Sequence, residues 1–204
     1  MAKEFHQLGL IQAALNHPRE AEEAYRHSLE LEPERPLVNY SYARLLHQQE
    51  RLDEAAQHYR EFLNFNPQHL ASLNALGQIA ETHRRFAIAR DYYAKAIKAS
   101  TTPPEQMLQV SNYVRFIASC PDLSVRNLDE AIGMAENLNN ATRQQVPGVL
   151  DLLAATYAQS GRFDEAIRTA RQALTLARAV SAYDLATEIE EHLAKYESRE
   201  TIWE

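Results

Sequence analysis

The strongest constraint in this sequence is a repeat with a period of 34 residues. When the chain is compared with itself at that offset, small, aromatic and aliphatic residues fall into register three times. The columns are Gly9, Ala43 and Gly77; Ala21, Ala55 and Ala89; Tyr25, Tyr59 and Tyr93; Leu8, Tyr42 and Leu76; Ile11, Leu45 and Ile79; and Leu29, Leu63 and Ile97. A period of this length is typical of arrays in which one small structural unit is stacked on the next.

Each copy contains the pattern of two helices. Apolar residues such as Leu8, Ile11 and Leu15 recur at steps of three and four, which predicts one buried helical face. Pro33 and Pro67 lie one period apart, where proline should end the second helix of each copy. The small residues allow two helix axes to cross at about 8–10 Å, and Gly9 is expected to face Ala21 across such a crossing.

This pattern resembles the tetratricopeptide repeat (TPR), and Gly9, Ala21, Tyr25 and Pro33 with their counterparts carry the resemblance. A later copy in "LLAATYAQSGRFDEAIRTARQAL" adds Gly161, which suits a left-handed turn after a helix. The resemblance implies an all-α fold, a right-handed α-α superhelix (TPR solenoid) of about five helix pairs plus a C-terminal capping helix.

The copies are expected to form a single TPR array over residues 1–204. The expected repeats are about 2–35, 36–69, 70–103, 104–146 and 147–180, followed by a capping helix at about 181–198. The fourth repeat is irregular, with a loop insert at 120–127 between its helices. Pro121 should stop the first of these helices and Asp129 should cap the second, while Ser181 and Asp184 should start the capping helix.

Composition excludes several classes of function. The formal net charge of −7 argues against nucleic acid, because that interaction depends on clustered Lys and Arg. No apolar stretch approaches the roughly 20 residues of a membrane span, so no direct membrane insertion of this segment is expected. Residues 1–10 also lack the pattern of a signal peptide.

The resemblance also implies where a ligand would bind. In TPR proteins the first helix of each pair lines the concave face, and certain repeat positions point into the groove. The residues at these positions that we predict to contact a peptide are His6, Tyr40, Arg44, His47, Asn74, Gln78 and Arg115. Side chains that form hydrogen bonds suit the amide and carbonyl groups of an extended chain. A solvated polar face with no ligand is the alternative for each residue.

Other kinds of site find little support in the sequence. The chaperone-binding TPR domains use a lysine and asparagine clamp, whose positions here hold His6, Leu10, Ser41, Ala71 and Ala75. The three tyrosines of the repeat are expected to be core residues. The histidines lack the spacing of a zinc helix, Cys120 has no adjacent base, and no glycine-rich phosphate loop occurs. We therefore predict no catalytic, metal or cofactor site, and a protein that is not an enzyme.

The segments "FIASCPDLSVRNLDEAIGMAENL" and "GRFDEAIRTARQALTLARAV" are similar to carboxy-terminal repeat regions of larger bacterial TPR proteins, some of them membrane-anchored. The predicted role is a scaffold that binds an unidentified protein or peptide in the concave groove. The alternative is a structural or self-associating domain, which forms a homodimer through an uncapped amino-terminal end with Phe5, Leu8 and Ile11. The compartment stays open, although a soluble cytoplasmic location is favoured unless the parent chain is exported or membrane-anchored.

Overall fold

The computed structural model describes residues 1–203, which contain eleven α-helices and no β-strand. The helices are α1 Ala2–Ala14, α2 Pro18–Leu31, α3 Pro36–Gln48, α4 Leu52–Phe65, α5 Leu70–Thr82, α6 Phe86–Ala99, α7 Pro103–Ser119, α8 Leu128–Ala141, α9 Pro147–Gln159, α10 Phe163–Ala179 and α11 Tyr183–Glu197. Proline begins α2, α3, α7 and α9, where its missing amide costs no helical hydrogen bond. Pro33 and Pro67 each follow the end of a helix by two residues, as predicted.

The chain divides into two compact units. The first unit, Met1–Ala99, holds α1 to α6, and the second begins at Ser100 and holds α7 to α11. Within the first unit, α1 packs on α2, α3 on α4 and α5 on α6, and each pair contacts the next. Within the second unit, α7 packs on α8 and α9 on α10, while α11 covers α10 and also contacts α9. A single array over residues 1–204 stays a prediction.

The turns inside the helix pairs share one backbone geometry. Asn16, Glu50 and Arg84 follow α1, α3 and α5 at 34-residue intervals, and each adopts a left-handed conformation, with φ near +60°. At Glu50 the amide donates to the His47 carbonyl at 3.0 Å, and the next amide donates to the Leu46 carbonyl at 3.0 Å. These two bonds form a Schellman motif, which ends a helix and reverses the chain. Gly161 occupies the equivalent place after α9 with φ +79°, as predicted.

Two of the predicted helix caps were wrong. Asn127, rather than Asp129, caps α8, because its side chain accepts a hydrogen bond from the Glu130 amide at 3.1 Å. Ser181 does not start α11; it has φ +59° and belongs to the Schellman motif that ends α10. Helix α10 runs longer than the other second helices, so the turn after it takes the place where a cap was expected.

Hydrogen bonds and buried side chains fix the 120–127 insert to the second unit. The Asp122 side chain accepts hydrogen bonds from both the amide and the hydroxyl of Ser124, at 2.9 and 2.7 Å. The Asn127 amide donates to the Ile117 carbonyl of α7 at 3.0 Å. Val125 and Cys120 are buried, so the loop contributes apolar contacts to the packing of α7 and α8.

The tyrosine column of the repeat forms the core of the first unit. Tyr25, Tyr59 and Tyr93 are at most 3% exposed, which confirms that they are packing residues. A methyl group added at Gly9 would meet the ring of Tyr25, and one added at Gly77 would lie 2.8 Å from Cε1 of Tyr93. The glycine column therefore accommodates a tyrosine ring from the paired helix, and the expectation that Gly9 faces Ala21 missed this contact.

Substitution of Gly77 by alanine should destabilise the protein. Alanine favours a helix by about 1 kcal/mol, but overpacking against the buried ring costs about 1–3 kcal/mol, so we expect a net loss of about 1 kcal/mol. Urea denaturation followed by circular dichroism would measure this loss. Gly133→Ala is the matched control, because nothing lies within 4 Å of the added carbon in α8 and the substitution should stabilise. An equal gain in both variants would contradict the tyrosine contact.

Candidate functional site

The first helices of the first unit form a cleft between α1 and α3. Its volume is about 330 Å³. The residues that line it are Leu10, Ala13, Ala14, Tyr25, Ser41, Arg44, Leu45 and Gln48. Leu10 is 46% exposed, and Leu37 of α3 is 62% exposed. We call this region the α1–α3 cleft, and it combines apolar side chains with hydrogen-bonding groups.

Arg44 is the exposed cation of the α1–α3 cleft. Its guanidinium carbon lies 5.9 Å from the centroid of the Tyr40 ring, within the range of a cation–π contact. Among the residues that the structure describes, Arg44 takes part in none of the ion pairs. The rigid fork of donors on arginine suits a carboxylate or a backbone carbonyl of a ligand.

The two predicted histidines beside Arg44 favour their neutral forms. His6 Nε2 lies 3.1 Å from the Ser41 hydroxyl, which joins α1 to α3. Burial lowers the pKa of His6, and the charge of Arg35 lowers it further. Burial also lowers the pKa of His47, whose ring lies 6.1 Å from that of Tyr59.

Tyr40 has a packing role as well as a place on the surface. Its ring centroid lies 5.1 Å from that of Phe62 and 4.7 Å from that of His69, and the residue is partly buried. These partners come from the end of α4 and the turn before α5. Repeat register alone did not predict them, because it specifies the helix that a residue belongs to and not the aromatic residues in adjacent turns.

The remaining predicted residues lie on other helices. Asn74 and Gln78 are one helical turn apart on α5, and Gln78 is exposed while Asn74 is half-buried. Their participation with Arg44 in one groove stays a prediction. Arg115 lies on α7 in the second unit, where it lines a different cavity.

The cavity of the second unit has a volume of about 430 Å³ and lies along α7, α9 and α11. It is lined by Ser111, Asn112, Arg115, Gly148, Asp151, Leu152, Ala155, Glu188, Glu191, His192, Lys195, Ile202 and Trp203. We call it the α7–α11 cavity. Its walls carry charges of both signs together with apolar side chains, and its volume is within the range of ligand sites.

One ion pair in the α7–α11 cavity was not predicted. His192 Nδ1 lies 3.0 Å from a carboxylate oxygen of Asp151, and both side chains are less than 20% exposed. The hydrogen bond to Asp151 raises the pKa of His192 against the opposing effect of burial. The two residues are 41 positions apart, and only the alignment of α9 and α11 as neighbouring helices would have suggested their contact.

The His192–Asp151 pair should make stability depend on pH. Because the folded-state pKa of His192 is raised above 6.5, its contribution is complete below pH 6.5 and is lost as the pH rises through the folded-state value. The stability advantage of the wild type over His192→Gln should therefore shrink from pH 5.5 to pH 8.5. Urea denaturation at several pH values would measure it.

His58 provides a control, because its pKa is shifted in the opposite direction. Burial lowers its pKa, so its contribution is present above pH 6.5 and is lost as the pH falls. The advantage of the wild type over His58→Gln should therefore grow as the pH rises. If the stability difference from the wild type changed with pH in the same direction for both variants, the opposite pKa shifts of His192 and His58 would be contradicted.

The outer face of α1 carries a row of exposed apolar residues. Leu8, Ile11 and Leu15 are 43%, 56% and 59% exposed, so the prediction that their helical spacing marks a buried face was wrong for this helix. Phe5, which was predicted to join them, is half-buried, and its ring centroid lies 5.4 Å from that of His27. We call Leu8, Ile11 and Leu15 the α1 apolar row.

Two kinds of feature are absent from the part of the chain that the structure describes. Residues 1–203 contain no group of three His, Cys, Asp or Glu side chains that could hold a metal ion. Within the same residues, none of the helices has the length and apolar character needed to cross a bilayer.

Comparison with known proteins gives two matches to the tetratricopeptide-repeat family, at residues 6–69 and 149–181. Among curated proteins no sequence matches. The MamA protein is similar in structure, with a TM-score of 0.73, 15% identity, and coverage of 89% of this chain and 94% of that chain.

Two further solved structures are similar. YrrB, described as a TPR protein with an unusual peptide-binding site, has a TM-score of 0.69 and 15% identity, over 94% of this chain and 92% of its own. A thermophilic TPR protein of Thermus thermophilus has a TM-score of 0.59 and 18% identity, over 94% of this chain and 98% of its own. These likenesses show the fold class, an all-α superhelix of helix pairs.

Proposed function

We propose that this chain, which matches the tetratricopeptide repeat at residues 6–69 and 149–181, is a non-catalytic scaffold that binds a peptide or protein segment on the surface of its first helices. The α1–α3 cleft is the observation that carries this proposal. It places the exposed guanidinium of Arg44 beside the exposed side chain of Leu10. YrrB, which shares the fold, has a peptide-binding site according to its description.

An extended peptide fits the chemistry of the α1–α3 cleft. A peptide backbone offers carbonyl acceptors to Arg44 and to the amide of Gln48, while its apolar side chains find contacts at Leu10. Leu37, an exposed residue of α3 outside the cleft lining, offers a further apolar contact. Neutral His6 and His47 add polar groups whose desolvation costs less free energy than that of charged groups. We propose that Asn74 and Gln78 extend this surface and that Tyr40 orients Arg44.

Selection from a phage-displayed library of random peptides would test the α1–α3 cleft. We expect peptides that bind the wild type to lose about tenfold or more in affinity for Arg44→Glu, because a charge reversal at a central contact removes an anchor. Fluorescence polarisation with the selected peptides would measure the loss.

Arg90→Glu is the matched control for this experiment. Arg90 is an exposed arginine on α6, a second helix, so the change in net charge is the same while the α1–α3 cleft stays intact. Affinity for Arg90→Glu should stay within about twofold of the wild type. Equal binding by all three proteins, or no selected peptide, would refute the proposed site.

The α1 apolar row favours a second role, which is self-association. Three exposed aliphatic residues on one helical face are a suitable contact for a second copy of the same helix. We expect light scattering to show a dimer that dissociates on dilution, and Ile11→Lys to give a monomer at every concentration. A monomeric wild type would exclude this role and leave peptide binding unaffected.

A further inference from the structure

The segment after α11 turns back toward its own unit. Arg199 adopts the left-handed conformation, with φ +57°. Its amide donates to the Tyr196 carbonyl at 3.0 Å, and the Glu200 amide donates to the Lys195 carbonyl at 2.9 Å. These bonds complete a Schellman motif like those inside the helix pairs. The chain reversal is therefore fixed by backbone hydrogen bonds.

The reversal brings apolar side chains to the α7–α11 cavity. Ile202 packs against the buried cluster of α9, α10 and α11, and both Ile202 and Trp203 are half-buried. Together they line the cavity whose other walls come from α7, α9 and α11. The Thr201 hydroxyl donates to the Trp203 carbonyl at 2.9 Å, which supports a defined local conformation.

The surface beside this segment combines hydrogen-bonding and apolar side chains. Helices α7 and α9 are the first helices of their pairs, which correspond to α1 and α3 of the first unit. Ser111, Asn112 and Arg115 on α7 offer hydrogen bonds, while Leu152 and Ala155 on α9 offer apolar contact. Ile202 and Trp203 form the part of the cavity wall that does not come from these helices.

We propose that the α7–α11 cavity is a binding site for a short peptide with an aliphatic and an aromatic side chain, the two kinds of side chain that Ile202 and Trp203 supply to its wall from within the chain. This proposal rests on the proposed function and names the class of partner for the second unit. A partner segment of the same chemistry would bind by displacing Trp203. The intramolecular segment competes strongly, because tethering gives it a high effective concentration.

A dye-labelled peptide with the sequence of residues 199–204 would test the proposal by fluorescence polarisation. We expect Trp203→Ser to bind this peptide at least about tenfold more tightly than the wild type, because the substitution removes the internal competitor. Trp203 lies outside the buried cluster, so the variant should keep its circular dichroism spectrum and unfolding midpoint. Binding that is equal in both proteins, or absent from both, would overturn the proposal.

Two controls locate the effect. Tyr183→Ser removes an aromatic residue of α11 that is 69% exposed and does not line the cavity, so it should bind the peptide as weakly as the wild type. Adding Arg115→Ala to Trp203→Ser should weaken binding again, and unchanged binding would refute the assigned site. The Arg44 experiment concerns the first unit, so its outcome is independent of this one.

Discussion

The contact between a tyrosine ring and a glycine backbone determines how the first unit is built. Tyr25 and Tyr93 lie where any side chain at Gly9 or Gly77 would have to lie, so the helices of the first and third pairs approach to the distance of one ring. In the second pair the glycine is replaced by Ala43, and Tyr59 is buried at the equivalent place. The opposite faces of the first helices are then free to vary, and the polar and apolar residues of the α1–α3 cleft lie there.

The features that could be predicted from the sequence are those that repeat. Helix pairs and buried tyrosines followed from residues that recur at equivalent positions, and the left-handed turn at Gly161 followed from the glycine itself. Asp129 and Ser181 were misassigned as caps because the irregular fourth repeat and the long α10 shift the helix starts away from the expected positions. Local hydrogen bonds, which the repeat does not specify, decide such boundaries.

Side-chain contacts between helices were the least predictable part of the candidate sites. The partners of Tyr40 come from α4 and the following turn, and the Asp151–His192 pair joins two helices that are not adjacent in sequence. The same amino acid also behaves differently in the two units. Burial favours neutral imidazole at His6, His47 and His58, whereas a buried carboxylate favours the cation at His192.

The Schellman turns restrict how such a chain can change its length in evolution. Only three residues join α1 to α2, α3 to α4 and α5 to α6, and both backbone bonds of each motif depend on that count. One additional residue there would break the motif and rotate the next helix by about 100°, which turns its tyrosine out of the core. Insertions and deletions should therefore accumulate between α7 and α8, where the eight residues of the insert carry their own hydrogen bonds and buried valine.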